Sequence, residues 1–299
     1  MNSLESLTSQ ARVFASRWGF ALLDRSPPAL AGELPGKIAG KWATNLFMET
    51  RRGGRDLPVG IPAGATAKPV RDGEKVRNVY VWGKSGPMVV LVHGWGADSA
   101  AMCSLVRPLR QRGYRVVAFD GPAHGSNQGR RTTMTEFVAS VREVLERFDP
   151  AAEVRAIVGH SLGGLAAVAA SKLSQRVPER MVLLSAPSCL NEALRSFVGF
   201  WGISSRIEQQ IRKELSRSHG VPIEHWDVRT LASRDRFPAL VLHDQDDSFV
   251  PFAQADIVAN ALGSTARIEL TKGLGHARIL ADQRTTSLVA DFVAGAQAA

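Results

Sequence analysis

Val154-Arg-Ala-Ile-Val-Gly-His-Ser-Leu-Gly-Gly-Leu-Ala-Ala-Val-Ala-Ala170 sets a short apolar run, a tight turn and a helix-forming run in direct succession. Its opening, Val154–Val158, is short and mostly apolar, as expected of a strand buried on both faces. Its continuation, Leu162–Leu173, is rich in strong helix formers. Between them stands Gly159-His160-Ser161-Leu162-Gly163, which must carry the chain from strand to helix within five residues. A serine flanked by small residues suits a sharp, strained turn that lifts its Oγ clear of the sheet and aims the N–H of Leu162 at the same point. The plain alternative is a serine that merely caps a helix. Gly-x-Ser-x-Gly alone carries little weight, because three such positions match by chance in roughly one chain of this length in ten.

The same alternation continues on both sides of this stretch. Toward the N-terminus the pattern predicts strands at Lys75–Trp82, Met88–Val92 and Arg115–Phe119, with helices near Ser99–Gln111 and Thr133–Phe148. Toward the C-terminus it predicts strands at Met181–Leu184, Ala239–His243 and Ala266–Leu270, a helix at Phe252–Leu262, and a last helix from about Arg278 to Ala294. Such alternation means an α/β fold with a mostly parallel central sheet and helices on both faces. The chemistry is then expected at the carboxyl ends of the strands. Residues 188–237 break the alternation with a helical insertion holding Phe197, Phe200, Trp201 and Trp226, expected to fold over the strand ends as a lid. Those aromatics either line an acyl pocket or pack the lid. Residues 1–60 read as an N-terminal extension with an amphipathic helix around Leu7–Leu23, followed by a breaker-rich stretch. The division is therefore extension 1–60, core 61–187, lid 188–237 and core 238–299.

Composition narrows the function classes. With 44% apolar and 22% charged residues among 299, the chain can bury a core without staples, which excludes disorder, collagen-like repeats and coiled coil. Cys103 and Cys189 stand far apart in no metal-ligand spacing, so neither a disulfide framework nor a metal site is expected. No run approaches the ~18 apolar residues of a membrane span, and Trp18–Leu23 is shorter than a secretory signal core. A cytoplasmic location follows as the expectation. The net charge of +9 is spread along the chain, and residues 238–299 carry more acidic than basic side chains. Only Arg51-Arg-Gly-Gly-Arg55 is locally dense, without interleaved aromatics or a nucleic-acid motif, so a solvated basic surface is expected rather than a specific nucleic-acid partner.

Four landmarks in order make the chain resemble the α/β-hydrolase superfamily: Leu91-Val-His-Gly-Trp-Gly96, Phe119-Asp-Gly-Pro-Ala-His-Gly-Ser126, the serine turn, and Leu242-His-Asp-Gln-Asp-Asp-Ser-Phe-Val-Pro251 followed by Gly275-His276. The resemblance covers about residues 66–187 and 238–299. It implies a nucleophile at Ser161, a base at His276, and an acid at Asp247, where the family pattern is Gly-x-x-Asp-x-x-Val-Pro. It also implies an oxyanion hole from the backbone N–H groups of Trp95 and Leu162. Two departures stand out: Ala123 and Asp244 occupy positions where the family usually has glycine. The chain order Ser161, Asp247, His276 is the order this fold uses.

The chemistry explains these residue types. A serine hydroxyl is a poor nucleophile until an imidazole takes its proton, and a carboxylate holds that imidazole in the right tautomer and stabilises its charged form. The resemblance therefore implies a serine hydrolase acting on a carboxylic ester of small to medium size through an acyl-enzyme, with no cofactor or metal. Dehalogenases and epoxide hydrolases of the superfamily carry aspartate where Ser161 stands, which disfavours those activities. Thioesterase, acyltransferase and cofactor-free perhydrolase chemistry use the same three residues, and non-catalytic binders on this fold usually lack one of them. His160 reads as a packed neighbour of the site. His93-x-x-x-x-Asp98 also matches a short acyltransferase pattern, although the oxyanion-loop reading of His93 fits its surroundings better.

Overall fold

A computed structural model of the chain describes residues 36–50, 60–233 and 236–295. Within them lies an eight-stranded sheet: β1 (Thr66–Pro69), β2 (Asn78–Trp82), β3 (Met88–Val92), β4 (Arg115–Phe119), β5 (Val154–His160), β6 (Arg180–Leu184), β7 (Ala239–Asp244) and β8 (Ala266–Thr271). The spatial order is β1-β2-β4-β3-β5-β6-β7-β8. β1 and β2 pair antiparallel, as do β2 and β4, and every later pairing is parallel. The short β1 forms one edge and ends in Pro69, a residue tolerated where no further strand needs its missing N–H.

The inner parallel strands, β3 to β7, are buried on both faces because their side chains alternate between two cores, whereas the edge strand β8 is only half-buried. In β3, Met88, Val90 and Val92 face the core formed with α3 (Met134–Arg147), α4 (Leu162–Leu173) and α8 (Gln254–Leu262). Val89 and Leu91 face the opposite core, filled by Met102 and Leu105 of a 3₁₀ turn (Ser99–Leu105), Leu109 of α2 (Val106–Gln111), and Val289 and Phe292 of α10 (Gln283–Ala294). The expected α/β architecture with helices on both faces is the one observed.

Several elements differ from the sequence pattern for identifiable reasons. The strand expected from Lys75 begins only at Asn78, because the carboxylate of Glu143 accepts the N–H groups of Glu74, Lys75 and Val76 and draws them into a turn on α3. The helix over Ser99–Gln111 is split into the 3₁₀ turn and α2, with Pro108 in the first turn of α2, where its missing N–H costs nothing. The last helix, expected from about Arg278, begins only at Gln283. A short α9 (Gly275–Arg278) precedes α10, which Asp282 caps by accepting the N–H of Thr285 at 2.8 Å. The region read as an extension contains α1 (Gly36–Met48), which the sequence pattern did not reveal. The Leu7–Leu23 helix and the Arg51–Arg55 stretch lie outside the described residues.

The insertion after β6 forms α5 (Leu190–Trp201), α6 (Ser205–His219), a 3₁₀ turn (Ile223–His225) and α7 (Val228–Leu231). α1 joins this group: a Cβ placed on Gly40 would sit 2.2 Å from Gln210 Cγ of α6, and Phe47 meets Phe197 of α5 edge-on at 5.3 Å. No helix among the described residues is long and apolar enough to cross a membrane. Because Gly40 lets α1 and α6 approach so closely, Gly40→Val is expected to destabilise the protein by about 1–3 kcal/mol, the usual cost of overpacking. Urea unfolding checks this, with Ala39→Gly, a change that opens no clash, as the comparison.

Candidate active site

β5 delivers His160 to the carboxyl edge of the sheet, and the chain reverses at Ser161 with φ +53° and ψ −131°. Positive φ at a residue with a Cβ is strained and persists only where the surroundings impose it. Two contacts impose it. The N–H of Ser161 donates to the carbonyl of Leu184 on β6 at 2.9 Å, and α4 starts so close to β3 that a Cβ on Gly163 would lie 2.1 Å from the His93 carbonyl oxygen. Ser161 makes no side-chain cap on α4. Its Oγ donates instead to His276 Nε2 at 3.0 Å.

His276, at the start of α9, turns its Nδ1 to Asp247 Oδ2 at 2.7 Å. The other carboxylate oxygen of Asp247 accepts the N–H groups of Phe249 and Val250, each at 2.9 Å. Burial would raise the Asp247 carboxyl, but the charge of His276 and hydrogen bonds from His243, His276 and the Val250 N–H outweigh it and hold the group well below the usual carboxylate range. His243 was not singled out in the sequence. It lies wholly buried on β7, with Nε2 2.8 Å from the Val250 carbonyl and 3.5 Å from Asp247 Oδ2, so it braces the loop that presents the carboxylate.

The loop after β3 borders the serine turn, since a Cβ on Gly94 would stand 3.1 Å from Ser161 Cβ. Two histidines clasp this loop reciprocally. His93 accepts the N–H of Gly121 on Nε2 at 3.0 Å, and His124, from the turn after β4, accepts the N–H of Gly96 on Nε2 at 3.0 Å. Their rings lie 4.8 Å apart, and His124 stacks on Phe137. His93 Nδ1 meets the Gly94 carbonyl at 2.8 Å, so both ring nitrogens are committed to backbone, while Asp98 caps the 3₁₀ turn through Ala100. Both ring nitrogens of His93 thus serve to hold the backbone around the loop after β3. Trp95 packs its ring against His124 and Phe137. The N–H of Leu162 opens α4, where no intrahelical acceptor exists.

The insertion reaches the site through Ser196 on α5, whose hydroxyl donates to the Phe249 carbonyl at 2.7 Å. The Phe249 ring lies 5.7 Å from that of His276. Of the four aromatics singled out earlier, Trp226 is 3% exposed and belongs to the core of the insertion, beside His219 and His225. Phe197 packs on α1, and Phe200, 51% exposed, meets Trp201 edge-on. Cys103 and Cys189 are unpaired thiols, and among the described residues no group of three or more His, Cys, Asp or Glu is placed to hold a metal.

The model of the alpha/beta hydrolase family matches residues 89–290. A serine hydrolase-like protein of Danio rerio is 38% identical over 114 residues, 35% of this chain and 32% of that protein. A pimeloyl-[acyl-carrier protein] methyl ester esterase of Xylella fastidiosa (strain M12) is 28% identical over 247 residues, covering 68% of this chain and 94% of the esterase. Among solved structures, mouse alpha/beta hydrolase domain-containing protein 10 superposes with a TM-score of 0.59 at 16% identity, over 77% of this chain and 97% of that one, a likeness of fold.

His160 supplies a pH test of the buried arrangement. Its Nε2 donates to the His276 carbonyl at 2.9 Å, and burial together with the charge of His276 pulls its pKa down to about 3. The unfolded chain, with an ordinary histidine there, binds the proton below about pH 6.5, whereas the folded chain resists it until about pH 3. Stability from this group is therefore whole above pH 6.5 and falls steadily, by roughly 1 kcal/mol per unit of acidification, between those limits. His160→Gln, which keeps a donor for the His276 carbonyl, is expected to lose less stability between pH 7 and pH 5 than the parent, measured by urea unfolding at each pH.

Proposed function

The chain belongs to the alpha/beta hydrolase family, and on that premise we propose that it is a serine hydrolase that cleaves a carboxylic ester of small to medium size through an acyl-enzyme. The observation that carries this reading is the unbroken hydrogen-bond chain from Ser161 Oγ through both nitrogens of His276 to Asp247. In the forward step, Oγ attacks the ester carbonyl carbon as its proton passes to His276 Nε2. The oxyanion lies between the N–H groups of Trp95 and Leu162, and each such donor contributes about 10²–10³ in rate. Collapse breaks the bond to the alkoxy group, which leaves as the alcohol with the proton from Nε2. Water then repeats the sequence on the acyl-enzyme and frees the carboxylic acid and Ser161. Asp247, held ionised, stabilises the imidazolium at each stage.

The similarity to a methyl ester esterase over most of that protein's length supports an ester rather than another electrophile. The bracing of the Asp247 loop by Ser196 supports a lid role for the insertion at 188–237, with α1 as part of the same cap. An apolar cap over an acyl site favours longer acyl groups until the pocket is full, because each buried CH₂ contributes about 0.8 kcal/mol, close to fourfold per methylene.

Two expected outcomes test the proposal. A fluorophosphonate should modify Ser161 alone, and Ser161→Ala should abolish labelling and lower hydrolysis of p-nitrophenyl butyrate by at least ~10³; Asp247→Asn should lower kcat by up to ~10⁴ with circular dichroism unchanged. Labelling of the alanine variant at another residue would overturn the assignment, and labelling without turnover of any ester would point to a binder. In the second, kcat/KM across acetate, butyrate, hexanoate and octanoate esters should climb to an optimum. Trp201→Ala should flatten that climb if its ring lines the acyl pocket and leave it unchanged if it only packs the insertion, whereas Trp226→Ala should leave it unchanged and cost about 3–5 kcal/mol of stability, because its ring fills the core of the insertion.

A further inference from the structure

Asp244 is the last residue of β7 and has no exposed surface. We propose that it is a positioning residue for the reaction, locking together the two loops that carry Asp247 and His276; this rests on the serine-hydrolase reading above. Its Oδ1 accepts the N–H of Asp246 at 3.0 Å and that of Gly275 at 2.8 Å. Its Oδ2 accepts the Thr271 hydroxyl at 2.7 Å and the N–H of Leu274 at 3.0 Å. One carboxylate thus holds the residue before the acid and the two residues before the base. Its main-chain carbonyl adds a fifth bond, from the Asp247 N–H at 3.1 Å.

This placement matters because the loop from Thr271 to His276 contains two glycines in left-handed backbone, and although Asp246 accepts the Gly273 N–H at 3.0 Å and Arg278 donates to the carbonyls of Gly273 and Leu274, Asp244 is the side chain that reaches both residues immediately before the base. Gly273 and Gly275 have φ of +86° and +64°. Alternating backbone of this kind gathers successive N–H groups around one point and makes a nest for an anion. Asp244 fills that nest from the neighbouring strand. Glycine, usual at this position in the family, has no side chain to do so. Burial would raise the Asp244 carboxyl, but the bonds from Thr271, Gly275, Leu274 and the Asp246 N–H outweigh it and keep the group ionised. All four side-chain partners are donors, so the site needs an acceptor on both oxygens. Asparagine would turn an NH₂ against an N–H and break the lock while changing size little.

A loop that carries the base must hold it closely, because a displacement of about 1 Å at a reacting group costs on the order of 10²-fold in rate. Asp244→Asn and Asp244→Gly, prepared in the full chain, are the test, with four readings: circular dichroism and melting, kcat and KM for p-nitrophenyl butyrate, the rate of fluorophosphonate labelling, and the downfield proton signal of His276 Nδ1–H. The expected result is folded variants with kcat and labelling rate reduced about 10²-fold, KM nearly unchanged, and the downfield signal broadened or lost. A folded variant with kcat, labelling and the proton signal like the parent would overturn the proposal. Loss of fold in both variants would overturn it too, by assigning Asp244 to stability alone. If the parent itself neither labels nor hydrolyses esters, the serine-hydrolase reading fails, while the proton signal, which needs no turnover, still reports whether Asp244 orders His276.

Discussion

The first turn of α4 packs directly on the end of β3, and the positions of the reacting groups follow from that contact. The His93 carbonyl comes so near Gly163 that a methyl group there has no room. That approach forces the chain to turn at Ser161 with positive φ, and it brings the Gly94–Gly96 loop alongside the serine. The same contact therefore raises the hydroxyl, aims the first N–H groups of α4 and delivers the neighbouring loop. Strain at Ser161 is sustained by the β5–β6 and β3–β5 ladders, which anchor the turn from below.

Around this point the polar groups are organised by what each can still donate or accept. The site is ringed by histidines at 93, 124, 160, 243 and 276, and four of them hold backbone: His93 and His124 clasp the loop after β3, His160 holds the His276 carbonyl, and His243 holds Val250. Burial at His160 and His93 favours the neutral ring, the state in which one nitrogen accepts and the other donates. A neutral histidine is the side chain that can serve an N–H and a carbonyl at once. Asp247 is the opposite case, a carboxylate kept charged by donors on both oxygens, which suits it to face an imidazole that becomes cationic.

Legibility in the sequence followed the locality of the forces. β3, β4 and α4 were readable to the residue because apolar runs and helix formers are local signals. The convergence of Ser161, Asp247 and His276 was readable through order and flanking motifs, although they are far apart in the chain. What escaped was set by partners distant in sequence. The start of β2 depends on Glu143, nearly 70 residues away, and no pattern in residues 74–76 announces it. α1 escaped because the first two turns of its buried face, Ala39, Gly40, Ala43 and Thr44, are small and fit α6, and its large apolar residues Leu46, Phe47 and Met48 are confined to the last turn. The weight of Asp244 escaped because a turn carboxylate looks alike in sequence whether it meets water or four donors.

The distribution of these long-range contacts also explains how a helical insertion can act on chemistry without lending a residue to it. Asp247 sits on a loop whose carbonyl at Phe249 is held by Ser196 of α5, whose carbonyl at Val250 is held by His243 of β7, and whose base is held by Asp244. The loop is thus suspended between the sheet and the insertion. Any shift of α5 acts first on Phe249, which borders the His276 ring, and only then on the carboxylate, whose two N–H donors come from Phe249 and Val250 themselves. Since α1 packs on α5 and α6 through Phe47 and Gly40, residues read as an N-terminal extension bear on the same loop by one further step. The parts of the chain with no recognisable motif are therefore mechanically joined to the part with the most.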